Sequence, residues 1–134
     1  MDALPIVFVD RSLGRVQVPQ LLRDAGVELV TLAEHYGVPA DEQVADVTWI
    51  AESARRGWIA FMKDFAIKRR PAEIQAILEN GARCFCLPNA NLRAAAMAQR
   101  YIDNLERIAR ASERSGPFLY TVRVDRLVSV GLGL

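Results

Sequence analysis

Cysteine and histidine are nearly absent: 134 residues hold two Cys and one His, and that scarcity removes several chemistries at once. Cys84 and Cys86 lie two apart in an apolar run, so on a strand they share a face and cannot easily bridge to each other. No second pair of soft ligands exists to complete a tetrahedral zinc site. Both cysteines are therefore expected to be reduced, small core residues. His35 has no triad partners within its segment, which leaves it as a loop residue and not a general base. An excess of one charge is also missing. Seventeen Lys and Arg face sixteen Asp and Glu, a formal net charge of +1, so a polyanion would have to be held by a local basic patch and not by the field of the whole molecule. No apolar stretch approaches the roughly 18 residues of a membrane helix, and no charged n-region precedes an apolar h-region. A soluble, cytoplasmic protein is the expectation. No Gly-rich phosphate loop of the P-loop kind occurs, and there are no repeats or low-complexity linkers. About half of the chain is apolar (51%), enough for one core, and a single domain over 1–134 is expected.

The residues that are present alternate between two periods. Ile6 to Val9 is a short continuous apolar run, the pattern of a central strand buried on both faces. Val18 to Ala25 follows with helical spacing, and Gly26 is its stop signal. Val27 to Leu32 reads as a second strand, then His35-Tyr36-Gly37-Val38-Pro39 as a loop. Val47, Ile50, Ala51 and Ala54 recur at helical spacing until Arg55-Arg56-Gly57, with the two arginines placed to complement the negative end of that helix. Trp58 to Met62 is the third strand, Pro71 to Glu79 a helix with Pro in its first turn and Asn80-Gly81 at its end, and Arg83 to Leu87 the fourth strand. One long helix is expected from Asn91 to Ala111, and the Phe118 to Val130 tail is expected as one bent strand or two short ones at the sheet edge, broken at Asp125-Arg126. Trp49 and Trp58 each continue an apolar run and belong to the core. Alternating strands and helices of this kind build a mostly parallel sheet covered on both faces, a three-layer α/β/α sandwich.

Two of the strand-like runs end on an acid, Asp10 and Asp64, and a third acid, Asp46, opens the helix before the second of them. Parallel strands direct their C-terminal ends to one edge of the sheet, so acids far apart in sequence can meet there. Each has a plainer role as well. Asp10 and Asp64 suit turns after strands, and Asp46 suits a helix N-cap, which leaves its second oxygen available. Gathered together, ionised carboxylates about 5 Å apart repel by roughly 3 kcal/mol at an effective dielectric near 20. A divalent cation removes that penalty, and an all-oxygen site favours Mg²⁺ or Mn²⁺ over Zn²⁺. Such an ion acidifies water and neutralises charge on a phosphodiester, which makes phosphate ester hydrolysis the leading chemistry.

The same residues carry a resemblance. Val7-Phe8-Val9-Asp10 with the helix and Gly26 turn after it, Asp46-Val47-Thr48-Trp49-Ile50-Ala51-Glu52-Ser53-Ala54, and Trp58-Ile59-Ala60-Phe61-Met62-Lys63-Asp64-Phe65 together resemble a PIN-like domain of the VapC toxin type, the ribonuclease half of toxin–antitoxin pairs. The likeness spans most of the chain. It implies a PIN-like fold, Asp10, Asp46 and Asp64 as catalytic ligands of Mg²⁺ or Mn²⁺, an RNA substrate cleaved internally, a cognate antitoxin protein as partner, and a homodimer as a possible assembly. Met62 and Ala66 stand where many such domains carry a hydroxyl residue and a further acid. Glu42 is then the candidate extra ligand, with Asp41 beside it and the neutral oxygens of Asn89 or Asn91 after the fourth strand as alternatives.

Lys63, Lys68, Arg69 and Arg70 flank Asp64 and are candidate phosphate contacts, unless they simply form a solvated loop. Arg11 either neutralises Asp10 or joins that set. A catalytically silent PIN-like module that binds RNA or protein is the alternative function. A receiver-like signalling domain also clusters acids at strand ends, but the later Thr and Lys it requires are not evident.

Overall fold

The apolar runs form the middle of a sheet. The computed structural model describes residues 3–63, 70–88 and 91–133, and within them lie strands β1 (Val7–Val9), β2 (Leu29–Thr31), β3 (Ile59–Met62), β4 (Arg83–Cys86), β5 (Phe118–Val122) and β6 (Leu127–Ser129). They share one sheet in the order β2-β1-β3-β4-β5-β6. Every neighbouring pair is parallel except β5 and β6, which are antiparallel. The tail is thus two short strands, with β6 at the edge.

Helices α1 (Gln17–Asp24), α2 (Leu32–Tyr36), α3 (Asp46–Arg55), α4 (Pro71–Asn80), α5 (Ala94–Asp103) and α6 (Leu105–Ala111) fill the connections. Strand side chains alternate between two cores. Val7, Val9, Phe61 and Phe85 pack with Leu22, Tyr101 and Ile108 from α1, α5 and α6. Phe8, Ala60, Met62, Cys84 and Cys86 pack with Trp49, Ile50 and Ile77 from α3 and α4. The three-layer α/β/α sandwich follows directly. Cys84 and Cys86 are free and buried on the same face, and burial pushes the Cys84 thiol far above its ordinary range. Trp49 is buried and stacks on Phe8 with ring centroids 5.5 Å apart, a contact worth about 0.5–1.5 kcal/mol beyond the area it buries.

Two local expectations are corrected and a third is extended. The segment that reads as a loop from His35 begins inside helix α2, whose start is fixed by a capping box: Glu34 N–H donates to Thr31 Oγ1 at 3.0 Å and Thr31 N–H donates to Glu34 Oε1 at 2.9 Å. The single helix expected from Asn91 to Ala111 is two helices broken at Asn104, whose buried amide donates to the carbonyls of Arg100 and Arg123, both at 2.8 Å. Arg55 and Arg56 do more than complement a helix end: both bond Glu52, at 2.6 and 2.9 Å, which also meets His35 Nε2 at 2.7 Å.

The strand order places the site. The chain leaves β1 to one side for β2 and returns to β3 on the other side of β1. Between the C-terminal ends of β1 and β3 the connections diverge, and such a switch point opens a crevice beyond the strand ends. Asp10 and Lys63 stand immediately after those two strands.

Candidate functional site

Asp10 closes β1 with its backbone still in the sheet, its N–H donating to the Phe61 carbonyl at 3.0 Å. Its side chain then caps the short 3-10 turn Arg11–Leu13. Oδ2 accepts the Ser12 hydroxyl at 2.7 Å and the Ser12 N–H at 3.3 Å. The turn role expected of an aspartate after a strand is therefore real, and it occupies one oxygen. The other does not share in it. Asp10 is 4% exposed, and its Oδ1 is buried with no hydrogen-bond partner among the described residues.

A carboxylate oxygen in that condition loses its hydration without compensation. Burial accordingly raises the Asp10 carboxyl above its ordinary value; Ser12 opposes the rise, and the negative charge of Asp46 adds to it. The charge of Asp46 therefore reaches Asp10, though it weighs less than burial. An oxygen-only pair with one buried, unpartnered atom fits a hard divalent cation, which would satisfy Oδ1 and cancel the repulsion together.

Asp46 is the first residue of α3, one position past the N-cap Ala45, and does not cap the helix. Its Oδ1 accepts the Trp49 indole N–H at 3.0 Å, and its Oδ2 accepts Arg70 NH1 at 3.3 Å. Each oxygen keeps a further lone pair. Trp49, buried in the core beneath, fixes which way the carboxylate faces.

Asp64, the third acid, lies outside the described residues, as do Lys68, Arg69 and Asn89. Among the described residues no group of three His, Cys, Asp or Glu could hold an ion. The approach to Asp64 is nevertheless fixed. Lys63 N–H donates to Ser12 Oγ at 3.0 Å, the same hydroxyl that donates to Asp10. One position earlier, the Met62 N–H donates to the Tyr101 hydroxyl at 3.1 Å, and that hydroxyl lies 2.7 and 2.9 Å from the carbonyls of Met62 and Phe85.

The remaining candidates separate by place. Glu42 is exposed and 3.5 Å from Arg15. Asp41 beside it is buried, and both its oxygens accept from Arg15, at 2.7 to 3.1 Å. The Arg11 guanidinium turns to the other segment, its NH2 donating to the carbonyls of Asp41, at 2.9 Å, and Val44, while the Arg11 backbone N–H lowers the Asp10 carboxyl slightly. Arg70 is joined to Asp46, and Lys63 is half-buried at the end of β3. Asn91 is exposed and has an interaction of its own.

Sequence reading misses Ser12, Tyr101 and the Arg15–Asp41 pair. Only Ser12 carries a local signal, since a hydroxyl two residues after an aspartate suits a side-chain-bonded turn. The other two are tertiary meetings with no short-range mark.

Comparison with known proteins shows the family. The profile of the family described as "PIN like domain" matches residues 5–89, a span that includes Asp10, Asp46 and Asp64. A Mycobacterium tuberculosis (strain ATCC 25618 / H37Rv) protein named "Putative ribonuclease VapC45" is 52% identical over 124 residues, covering 92% of this chain and 90% of that protein. No solved structure matches the chain.

Proposed function

The chain belongs to the PIN-like domain family, of the VapC type, and from that premise we propose that it is a divalent-metal-dependent endoribonuclease, the toxin of a toxin–antitoxin pair. The observation that carries the reading is the buried Oδ1 of Asp10, unpartnered among the described residues and within the field of Asp46, at the C-terminal ends of β1 and β3. The relative's ribonuclease name supports RNA as the substrate. Asp10 and Asp46 would hold Mg²⁺ or Mn²⁺, and Asp64 would join them from the segment that follows Lys63. When bound, such an ion would acidify water and neutralise charge developing on the scissile phosphate.

The protein's own residues do the rest. Ser12 occupies Asp10 Oδ2 and so leaves Oδ1 as the oxygen that would take a cation. Trp49 holds Asp46 in orientation. Arg70, paired with Asp46, would meet phosphate oxygens together with Lys63, Lys68 and Arg69. Because Asp10 must be ionised to bind a cation and its carboxyl is raised, protons compete with metal and activity should climb with pH through that titration. The implied partners are RNA, a cognate antitoxin and a second copy of the chain, in the cytoplasm, with one PIN-like domain spanning 1–134. Among the described residues no helix is long and apolar enough to cross a membrane.

A second reading is a PIN-like module that retains RNA without cutting it, and the ion pair between Arg70 and Asp46 favours it. One assay separates the two. Purified protein is incubated with mixed RNA in Mg²⁺ or Mn²⁺, with and without EDTA, beside Asp10→Asn and Asp64→Asn. Cleavage abolished by EDTA and by both substitutions supports the enzyme; retention of RNA without cleavage by the unsubstituted protein supports the module.

A further inference from the structure

Two short segments lead into the paired acids. Residues 11–15 follow Asp10 directly, and residues 41–45 run directly into Asp46. These segments are fastened to each other side chain by side chain. Arg15 holds the Asp41 carboxylate through three contacts, Nε to Oδ2 at 3.1 Å and NH2 to Oδ1 and Oδ2 at 3.0 and 2.7 Å. Arg11 NH2 donates to the backbone carbonyls of Asp41 and Val44. Asp41 is 3% exposed, so its charge is withdrawn from water and depends on that guanidinium.

We propose that Arg11, Arg15 and Asp41 form a clamp that sets the spacing of Asp10 and Asp46, and that they are positioning residues for the divalent cation. The inference rests on the metal reading given above.

Two like charges held near each other repel, and without a restraint the start of α3 would relax away from β1. The clamp opposes that movement before any cation arrives, so less of the binding free energy goes into assembling the ligands. A fork of guanidinium on carboxylate suits the task, because two-point geometry fixes orientation as well as distance. A purely stabilising role predicts something different. An ion pair whose arginine is open to solvent contributes little net stability, and nothing about stability alone would place it between the segments that carry the two acids. The clamp also gives Arg11 a role that does not need RNA.

The test is Mn²⁺ binding by the RNA-free full chain, followed by the electron paramagnetic resonance signal of unbound Mn²⁺, with thermal unfolding measured in parallel. Asp41→Asn and Arg11→Met are compared with Glu52→Gln, which disrupts the ion-pair network at the opposite end of the same helix α3. The expected result is a Kd for Mn²⁺ weakened about tenfold or more in both clamp variants, with Glu52→Gln binding as the unsubstituted protein does despite its own loss of Tm. Arg11→Met removes an exposed side chain, so it reports even if Asp41→Asn does not fold. Undiminished Mn²⁺ binding by a folded clamp variant, or an equal loss in Glu52→Gln, overturns the clamp while leaving the metal reading intact. Failure of the unsubstituted protein to bind Mn²⁺ overturns both.

Discussion

The Ser12 hydroxyl donates to Asp10 Oδ2 at 2.7 Å while accepting the Lys63 N–H at 3.0 Å, so one oxygen atom ties the end of β1 to the end of β3. Ser12→Ala should release both. The Lys63 N–H would be left to water and Asp10 would lose its orienting bond, a cost of about 1 kcal/mol in stability and about tenfold in Mn²⁺ affinity. Ser12→Thr keeps the hydroxyl and should recover most of both. Titration with Mn²⁺ alongside thermal unfolding checks the pair; equal behaviour of Ala and Thr would assign the effect to packing.

Asp10 gives a pH dependence of unusual sign for a carboxylate. Burial raises its pKa in the folded protein, and Asp46 adds to the rise, so between the unfolded and folded values the native state binds more protons than the unfolded one. Metal-free protein should therefore lose stability as pH rises through that window and keep the penalty above it. Asp10→Asn removes the charge and should raise the Tm of the metal-free protein at neutral pH while abolishing Mn²⁺ binding. Thermal unfolding in EDTA at several pH values reads the first effect. A Tm gain that persists below the unfolded carboxyl range would show that charge is not its cause.

Much of this frame is legible in the sequence, and the illegible parts have physical reasons. β1 and β3 announce themselves because strands buried on both faces are written as unbroken apolar runs, as Val7–Val9 and Ile59–Met62 are. The position of Asp10 at the C-terminal edge of the sheet follows from parallel topology, whereas Asp46 stands at a helix start that strand order alone does not place. Helix α2 is hidden because the apolar run from Val27 continues through Leu32, so the strand pattern covers the Thr31 and Glu34 signature. The break at Asn104 is hidden for the opposite reason: α5 and α6 face the same core, and helical spacing continues across a kink that only the distant Arg123 carbonyl explains. Arg11 reads either as a neutraliser of Asp10 or as a phosphate contact, and nothing local reveals that Val44 lies within its reach.

Glu52 should respond to acid in the ordinary direction. His35, then Arg56 and Arg55, hold its carboxyl down to about 2, so its contribution is present above the usual carboxylate range and is lost as pH falls from there toward about 2. The arginines are open to solvent, and screening limits the network to about 1 kcal/mol. Glu52→Gln should lower the Tm at pH 7, with the difference from the unsubstituted protein shrinking as pH drops below the unfolded carboxyl pKa. A difference that stays constant with pH would trace the effect to hydrogen bonding and not to charge.

Tyr101 supports the site from beneath. It is buried, stacks on Phe61 with centroids 4.0 Å apart, and places its hydroxyl against the Met62 N–H and the carbonyls of Met62 and Phe85. Met62 is the last residue of β3, and the chain runs from it through Lys63 toward Asp64. Tyr101→Phe keeps the ring and its stacking but removes the hydroxyl that meets these three backbone groups, leaving the buried Met62 N–H without that acceptor. The expected cost is about 1–3 kcal/mol, seen as a lower midpoint in urea with an unchanged slope. Because the freed backbone leads into the third proposed ligand, RNA cleavage should fall by more than the unfolded fraction accounts for. Cleavage that tracks the folded fraction alone would confine Tyr101 to the core.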